Sequence, residues 1–197
     1  MNLPNRLTLI RIFIVPIIVL VWIFPYAQFN IAISSFTFMN IEFNTVYLAC
    51  LILFALASFT DFLDGHIARS KNLITTFGKF ADPIADKLLV NTMLILFASS
   101  NIIPVVPVVI MLARDTIVDG CRMMASNNGV VVAAGYLGKL KTVAQMLTII
   151  FILLNNWPFE LLNVPFTDIL LWFATFASMG SGFSYFMQLR EYIFESM

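Results

Sequence analysis

Long uncharged apolar runs recur along the whole chain, and each is too oily to sit on a water-facing surface. They centre on residues 7–26, 43–67, 75–99, 102–126, 139–154 and 166–189. No Gly/Ser/Pro-rich linker, low-complexity tract or internal repeat divides them. A helix needs about 20 residues to cross the hydrocarbon of a bilayer. The expectation is therefore an all-α integral membrane protein, six transmembrane helices in one domain over residues 1–197. Composition agrees: 60% of the 197 residues are hydrophobic and 11% charged, too little charge to cover a soluble domain of that size.

Two of the middle runs, 46–60 and 102–113, are shorter than a full crossing before a charge interrupts them. They reach crossing length only if helix continues into the charged residues at one end. Charges there must face water or each other rather than lipid. This predicts a polar cavity on one side of the bundle. The basic residues say which side. Arg6, Arg11, Arg69, Lys71, Lys79, Lys87, Arg114, Arg122, Lys139, Lys141 and Arg190 are all the Lys and Arg of the chain, and all fall at the same ends of the expected spans. The opposite connections, 25–45, 99–104 and 155–166, have none. The positive-inside rule then puts both termini and the cavity on the cytoplasmic side. The basic start and apolar run of the first 25 residues resemble a signal peptide. No small-x-small pattern follows Phe24, so this run is expected to stay as a span. Cys50 and Cys121 lack metal-ligand spacing and read as apolar fillers.

The stretch that carries chemistry reads Asp61-Phe-Leu-Asp64-Gly65-His66-Ile67-Ala68-Arg69, then eight residues, then Gly78-Lys-Phe-Ala-Asp82-Pro-Ile-Ala-Asp86. On helices, Asp61 and Asp64 share one face, and so do Asp82 and Asp86. A short connection makes the two helices antiparallel neighbours, so four carboxylates can converge at the membrane surface. Four such charges in a partly desolvated place need compensating cations. Lys or Arg could supply them. Two divalent ions would bring four positive charges, and carboxylate oxygens suit hard ions such as Mg²⁺ or Mn²⁺. Paired metals can also clamp a phosphate during an in-line displacement. Gly65 and Gly78, with no Cβ, would let backbone approach a pyrophosphate closely. Ala68 keeps the same groove open one turn from Asp64, and the planar fork of Arg69 can grip phosphate oxygens. A plainer reading makes the acids helix caps: Asp82 before Pro83 resembles an N-cap followed by a proline at the first helical position.

The spacing D-x2-D-G-x2-A-R-x8-G-x3-D-x3-D matches without departure the signature of the CDP-alcohol phosphatidyltransferase family. The resemblance implies six transmembrane helices, a homodimer, and Asp61, Asp64, Asp82 and Asp86 as ligands of two divalent cations. It implies Asp86 as general base toward an acceptor hydroxyl that attacks the lipid-linked phosphorus of CDP-diacylglycerol and expels CMP. Gly65, Ala68, Arg69 and Gly78 would bind the CDP pyrophosphate. The segments Asn2-Leu-Pro4-Asn5-Arg-Leu7-Thr8-Leu-Ile-Arg11 and Gly138-Lys139-Leu-Lys141-Thr142-Val-Ala-Gln145 resemble those of a bacterial branch, the phosphatidylglycerophosphate synthases. Ala113-Arg114-Asp115 resembles its Ala-Arg-Glu, with Asp in place of Glu. That likeness implies sn-glycerol 3-phosphate as acceptor and the bacterial cytoplasmic (inner) membrane as location. Arg114, Arg122, Lys139 and Lys141 become candidates for the acceptor's phosphate, and Asn5, Thr8 and Arg11 for the cavity mouth. Membrane lipids are expected partners; nucleic acid is not. Other acceptors (inositol phosphate, serine, phosphatidylglycerol) are the alternatives within the family, and a divalent-metal transporter the alternative outside it.

Overall fold

The structure is a computed structural model, which describes residues 2–70, 75–127 and 135–195. Among them are six α-helices: α1 (Leu3–Ile23), α2 (Thr45–Ser70), α3 (Thr76–Ser99), α4 (Val105–Asn127), α5 (Tyr136–Leu153) and α6 (Phe166–Glu195). A hairpin of β1 (Ser35–Phe38) and β2 (Ile41–Asn44) stands between α1 and α2. Helix starts follow local chemistry. Pro4 lies in the first turn of α1, where a missing N–H costs nothing. The Asn44 side-chain oxygen accepts the Val46 N–H at 2.8 Å to open α2. Thr75 Oγ1 accepts the Gly78 N–H at 3.0 Å to open α3. That last cap frees Asp82 and Pro83 from marking a helix start; both lie inside α3.

Four helical stretches are long and apolar enough to cross a membrane: Leu3–Ile23, Thr45–Ile67, Tyr136–Leu153 and Phe166–Gln188. Their exposed side chains include Phe13, Leu20, Ile52, Phe59, Phe176 and Phe183, an oily exterior that suits lipid rather than water. This is a membrane protein. Helix α3 carries Asp82, Asp86 and Lys87, and α4 carries Arg114, Asp115, Asp119 and Arg122, so neither presents an uninterrupted apolar run of crossing length. Past the two short apolar runs helix does continue into the charges, through Asp61 and Asp64 in α2 and through Arg114 and Asp115 in α4.

The chain divides into two compact units, residues 1–96 with 149–164, and residues 97–148 with 165–197. In the first, α1 packs on α2. Trp22 near the end of α1 stacks on Tyr47 near the start of α2, with ring centroids 5.0 Å apart. Ile18, Cys50, Phe54, Ala57, Met93 and Leu94 are core residues of this unit. The hairpin pairs Ser35 with Asn44 and Phe38 with Ile41. Its two-residue turn, Met39-Asn40, has positive φ at both positions, the geometry that matches strand twist. In the second unit α4 packs on α6. Ala174, Ala177, Ser178 and Ser181 are buried on α6, small side chains that let helix backbones come close. Both cysteines are free thiols, Cys50 buried and Cys121 half-buried.

Candidate active site

All four signature aspartates lie in the first unit, two on α2 and two on α3, and a residue of α1 gathers three of them. The Arg11 guanidinium, 0% exposed, donates from Nη1 to Asp61 Oδ1 at 2.7 Å and to Asp86 Oδ1 at 2.5 Å. From Nη2 it donates to Asp64 Oδ2 at 2.6 Å. The fourth, Asp82, accepts the Thr8 hydroxyl at Oδ1, 2.7 Å away. Thr8 Oγ1 also lies 3.5 Å from Asp64 Oδ2. Spacing explains the α1 side: Thr8 and Arg11 are three apart, so both look out from one face of that helix.

Burial gives the cluster a direction. Asp64 is 3% exposed, whereas Asp61 and Asp86 are 44% and 49% exposed. The deep end is thus Asp64 with Arg11 and Thr8, and the open end is Asp61 with Asp86. A fully buried guanidinium needs its charge matched, and three carboxylates do so with charge-assisted bonds. Among the described residues no set of three or more His, Cys, Asp or Glu is disposed as a ready metal shell; the carboxylates are drawn around Arg11 instead.

Asn5 extends the same face of α1. Its Oδ1 accepts the Thr75 hydroxyl at 2.9 Å, tying α1 to the start of α3. Gly78 sits against this tie. A Cβ there would lie 3.3 Å from both Asn5 Oδ1 and Thr75 Oγ1 and 3.7 Å from Asp82 Oδ2, so its bare backbone lets α3 approach α1. The sequence expectation sets Asn5, Thr8 and Arg11 at a cavity mouth; in the structure all three are buried, and Thr8 and Arg11 belong to the aspartate cluster itself. Gly65 lies on α2 beside Asp64. Ala68 and Arg69 also lie on α2, but their side chains fall outside the described residues, as does Lys79 on α3.

The second unit holds a cluster of the opposite sign. Arg114 donates to Asp115 Oδ1 at 2.8 Å and to Ser181 Oγ at 2.5 Å. Lys141, also buried, reaches both Asp115 oxygens at 2.6 Å. Tyr185 on α6 lies beneath both arginines, its ring centre 5.6 Å from the Arg114 guanidinium carbon and 4.7 Å from that of Arg122. The attraction of a cation to a ring face holds them there. Its hydroxyl accepts from Arg122 Nη2 and from the Gly135 N–H, the latter at 3.1 Å. Gly182 makes room: a Cβ there would meet Arg114 Cγ at 2.9 Å. Lys139 is exposed, at the start of α5. Sequence reasoning names the three cations of this cluster and leaves the role of Asp115 open. It passes over Ser181, Gly182 and Tyr185, whose only signal is small and aromatic residues at helical spacing on one span.

A family model described as CDP-alcohol phosphatidyltransferase matches residues 1–180. The chain is 42% identical over 190 residues to a Bacillus subtilis protein called CDP-diacylglycerol–glycerol-3-phosphate 3-phosphatidyltransferase, covering 96% of each chain. Proteins of the same name from Rickettsia typhi and Sodalis glossinidius are 37% and 31% identical to it. Those two alignments span 97% and 99% of this chain and 98% of each relative. The family match runs from α1 into α6 and takes in the whole aspartate cluster together with the Thr8 and Arg11 that bind it, so the chain belongs to the CDP-alcohol phosphatidyltransferase family.

Proposed function

We propose that the protein transfers the phosphatidyl group of CDP-diacylglycerol to sn-glycerol 3-phosphate, giving phosphatidylglycerophosphate and CMP. The observation that carries this is full-length similarity to relatives of that name, 42% identical in the first case, in a chain whose four signature aspartates are gathered at one site.

Asp61, Asp64, Asp82 and Asp86 would hold two divalent cations, Mg²⁺ or Mn²⁺. The donor set fits in kind: it is all oxygen, suits hard ions, and surrounds one positive group already. Such ions, when bound, supply charge neutralisation to the pyrophosphate and the leaving CMP. The chain's own residues do the rest. Asp86 accepts the proton of the acceptor hydroxyl, a role that its exposure at the open end of the cluster supports. Gly65 and Gly78 bring backbone close to the pyrophosphate, Ala68 keeps the same groove open, and Arg69 grips its oxygens as negative charge moves onto CMP. Arg114, Arg122, Lys139 and Lys141 are assigned to the phosphate of the acceptor. Tyr185 and Asp115 hold Arg114, Arg122 and Lys141 in place for that work. Planar guanidinium forks suit a phosphate better than they suit the neutral hydroxyl of serine.

The distribution of basic residues supports six spans in the bacterial cytoplasmic membrane, with both termini and the reaction on the cytoplasmic side. A homodimer is part of the same family-based reading. The test is an acceptor panel. Purified protein with CDP-diacylglycerol and Mg²⁺ is given glycerol 3-phosphate, inositol phosphate, serine or phosphatidylglycerol. A lipid product should form with glycerol 3-phosphate; equal or faster product with another alcohol removes the assignment of the acceptor.

A further inference from the structure

We infer that Arg11 and divalent metal ions compete for the same carboxylate oxygens, so that Arg11 is the resident counter-cation of the quartet and sets how tightly metal is held. The inference rests on the two-metal reading above. Three observations carry it.

First, Arg11 is fully buried and bonded to Asp61, Asp64 and Asp86 at 2.7, 2.6 and 2.5 Å. These are three of the four carboxylates assigned to the metals. A guanidinium keeps its proton at any ordinary pH, so it gives up these oxygens only by moving. Second, its Nε–H is buried with no acceptor among the described residues. A buried donor left unpaired is costly. The carboxylates hold the guanidinium in a place where its own bonding is incomplete, and a shift that finds Nε an acceptor offsets part of the loss when metal displaces it. Third, Asp82 is bonded by the neutral Thr8 hydroxyl rather than by Arg11 in the ion pairs present. One carboxylate of the quartet is thereby held by a neutral hydroxyl, 2.7 Å away.

Electrostatics then fixes the sign. Without positive charge the quartet repels itself, so Arg11 offsets that repulsion and keeps the acids together when no ion is bound. A doubly charged ion beside a guanidinium meets a repulsion well above thermal energy even at a protein-like dielectric. Removing the Arg11 charge should therefore weaken the protein in chelator and strengthen its hold on metal.

The experiment is a Mn²⁺ titration of the purified full-length protein in detergent, followed by electron paramagnetic resonance, with melting recorded in chelator and in saturating Mn²⁺. Arg11→Gln should bind Mn²⁺ about tenfold more tightly than the unaltered protein, by loss of one repelling charge. Its melting temperature should rise more on adding Mn²⁺. Arg11→Lys keeps the charge and should stay within about threefold of the unaltered protein. A folded Arg11→Gln that binds Mn²⁺ no more tightly, with no larger gain in melting temperature, overturns the inference while leaving the two-metal reading intact. An unaltered protein that takes up no Mn²⁺ overturns both. Should Arg11→Gln not fold, the ¹⁵N guanidinium resonance lost in Arg11→Lys identifies Arg11 in the intact protein. Displacement of that signal by Mg²⁺ supports the competition, and a signal unmoved by Mg²⁺ at saturation refutes it.

Discussion

The two charged clusters use one device with opposite signs. In the first unit a single cation, Arg11, sits among three carboxylates. In the second a single carboxylate, Asp115, sits between Arg114 and Lys141. A buried charge of either sign is costly alone, so each cluster carries an internal counterion that lets it form during folding. Among the described residues the counterion is outnumbered in each. Under the proposed function the acidic cluster is left to attract cations, and the basic cluster to attract an anion such as a phosphate. The supporting groups differ accordingly. The acids are steadied by a hydroxyl, from Thr8, and the arginines by a ring face, from Tyr185.

Breaking this pairing at different points should give effects of graded size. The largest is expected at the open end of the acidic cluster. Asp86→Asn removes the proposed base while keeping side-chain size, and CMP release should fall about a thousandfold. The helix content by circular dichroism should stay unchanged. In the basic cluster, Asp115→Asn leaves Arg114 and Lys141 facing each other without their counterion. Unfolding should become easier by about 3 kcal/mol in a denaturant titration in mixed micelles, the usual result of orphaning one side of a buried pair.

How much of this contrast can be read from sequence depends on how local each contact is. Asp61 with Asp64 and Asp82 with Asp86 are legible because spacings of three and four put side chains on one helical face, whatever the tertiary fold. Arg11 is not legible as their counterion. It is 50 residues from Asp61 in sequence, and only the packing of α1 on α2 carries it into the cluster. Its motif neighbours Asn5 and Thr8 read as residues of a cavity mouth for the same reason. Tyr185 and Gly182 are hidden likewise, since an aromatic and a glycine on an apolar span look like ordinary packing until α4 lies against α6.

The hairpin at Ser35–Asn44 escapes notice because its strands are four residues each and its turn, Met39-Asn40, lacks the usual Asn-Gly or Asp-Gly signal. Helix ends are easier. The apolar run alone suggests a first span of 7–26. Pro4 in the first turn and Pro25 after the last residues move α1 to Leu3–Ile23.

Smaller perturbations sharpen the comparison of the two supports. Thr8→Val keeps shape and deletes the bond to Asp82. With Asp82 less firmly held, kcat should drop about tenfold, the size expected from one hydrogen bond to a charged group. Its counterpart, Tyr185→Phe, keeps the ring under both arginines and loses only the acceptor oxygen. The KM for glycerol 3-phosphate should rise about tenfold while the KM for CDP-diacylglycerol holds. Equal changes in both constants would show that Tyr185 serves the fold at large rather than the basic cluster. The mildest change is Gly182→Ala, where the new methyl must push Arg114 aside. A destabilisation of about 1 kcal/mol is expected from such overpacking, read from the same denaturant titration.

The central claim is that the acidic cluster works as a cation-dependent centre of phosphatidyl transfer to a phosphorylated acceptor. The most direct measurement follows radiolabelled glycerol 3-phosphate into the lipid phase while CMP is counted in the aqueous phase, before and after a chelator. Equal amounts of labelled lipid and CMP, both ending on chelation and both restored by Mg²⁺, are the predicted result. Transfer that continues undiminished without divalent ions, or CMP formed with no label in lipid, would contradict it.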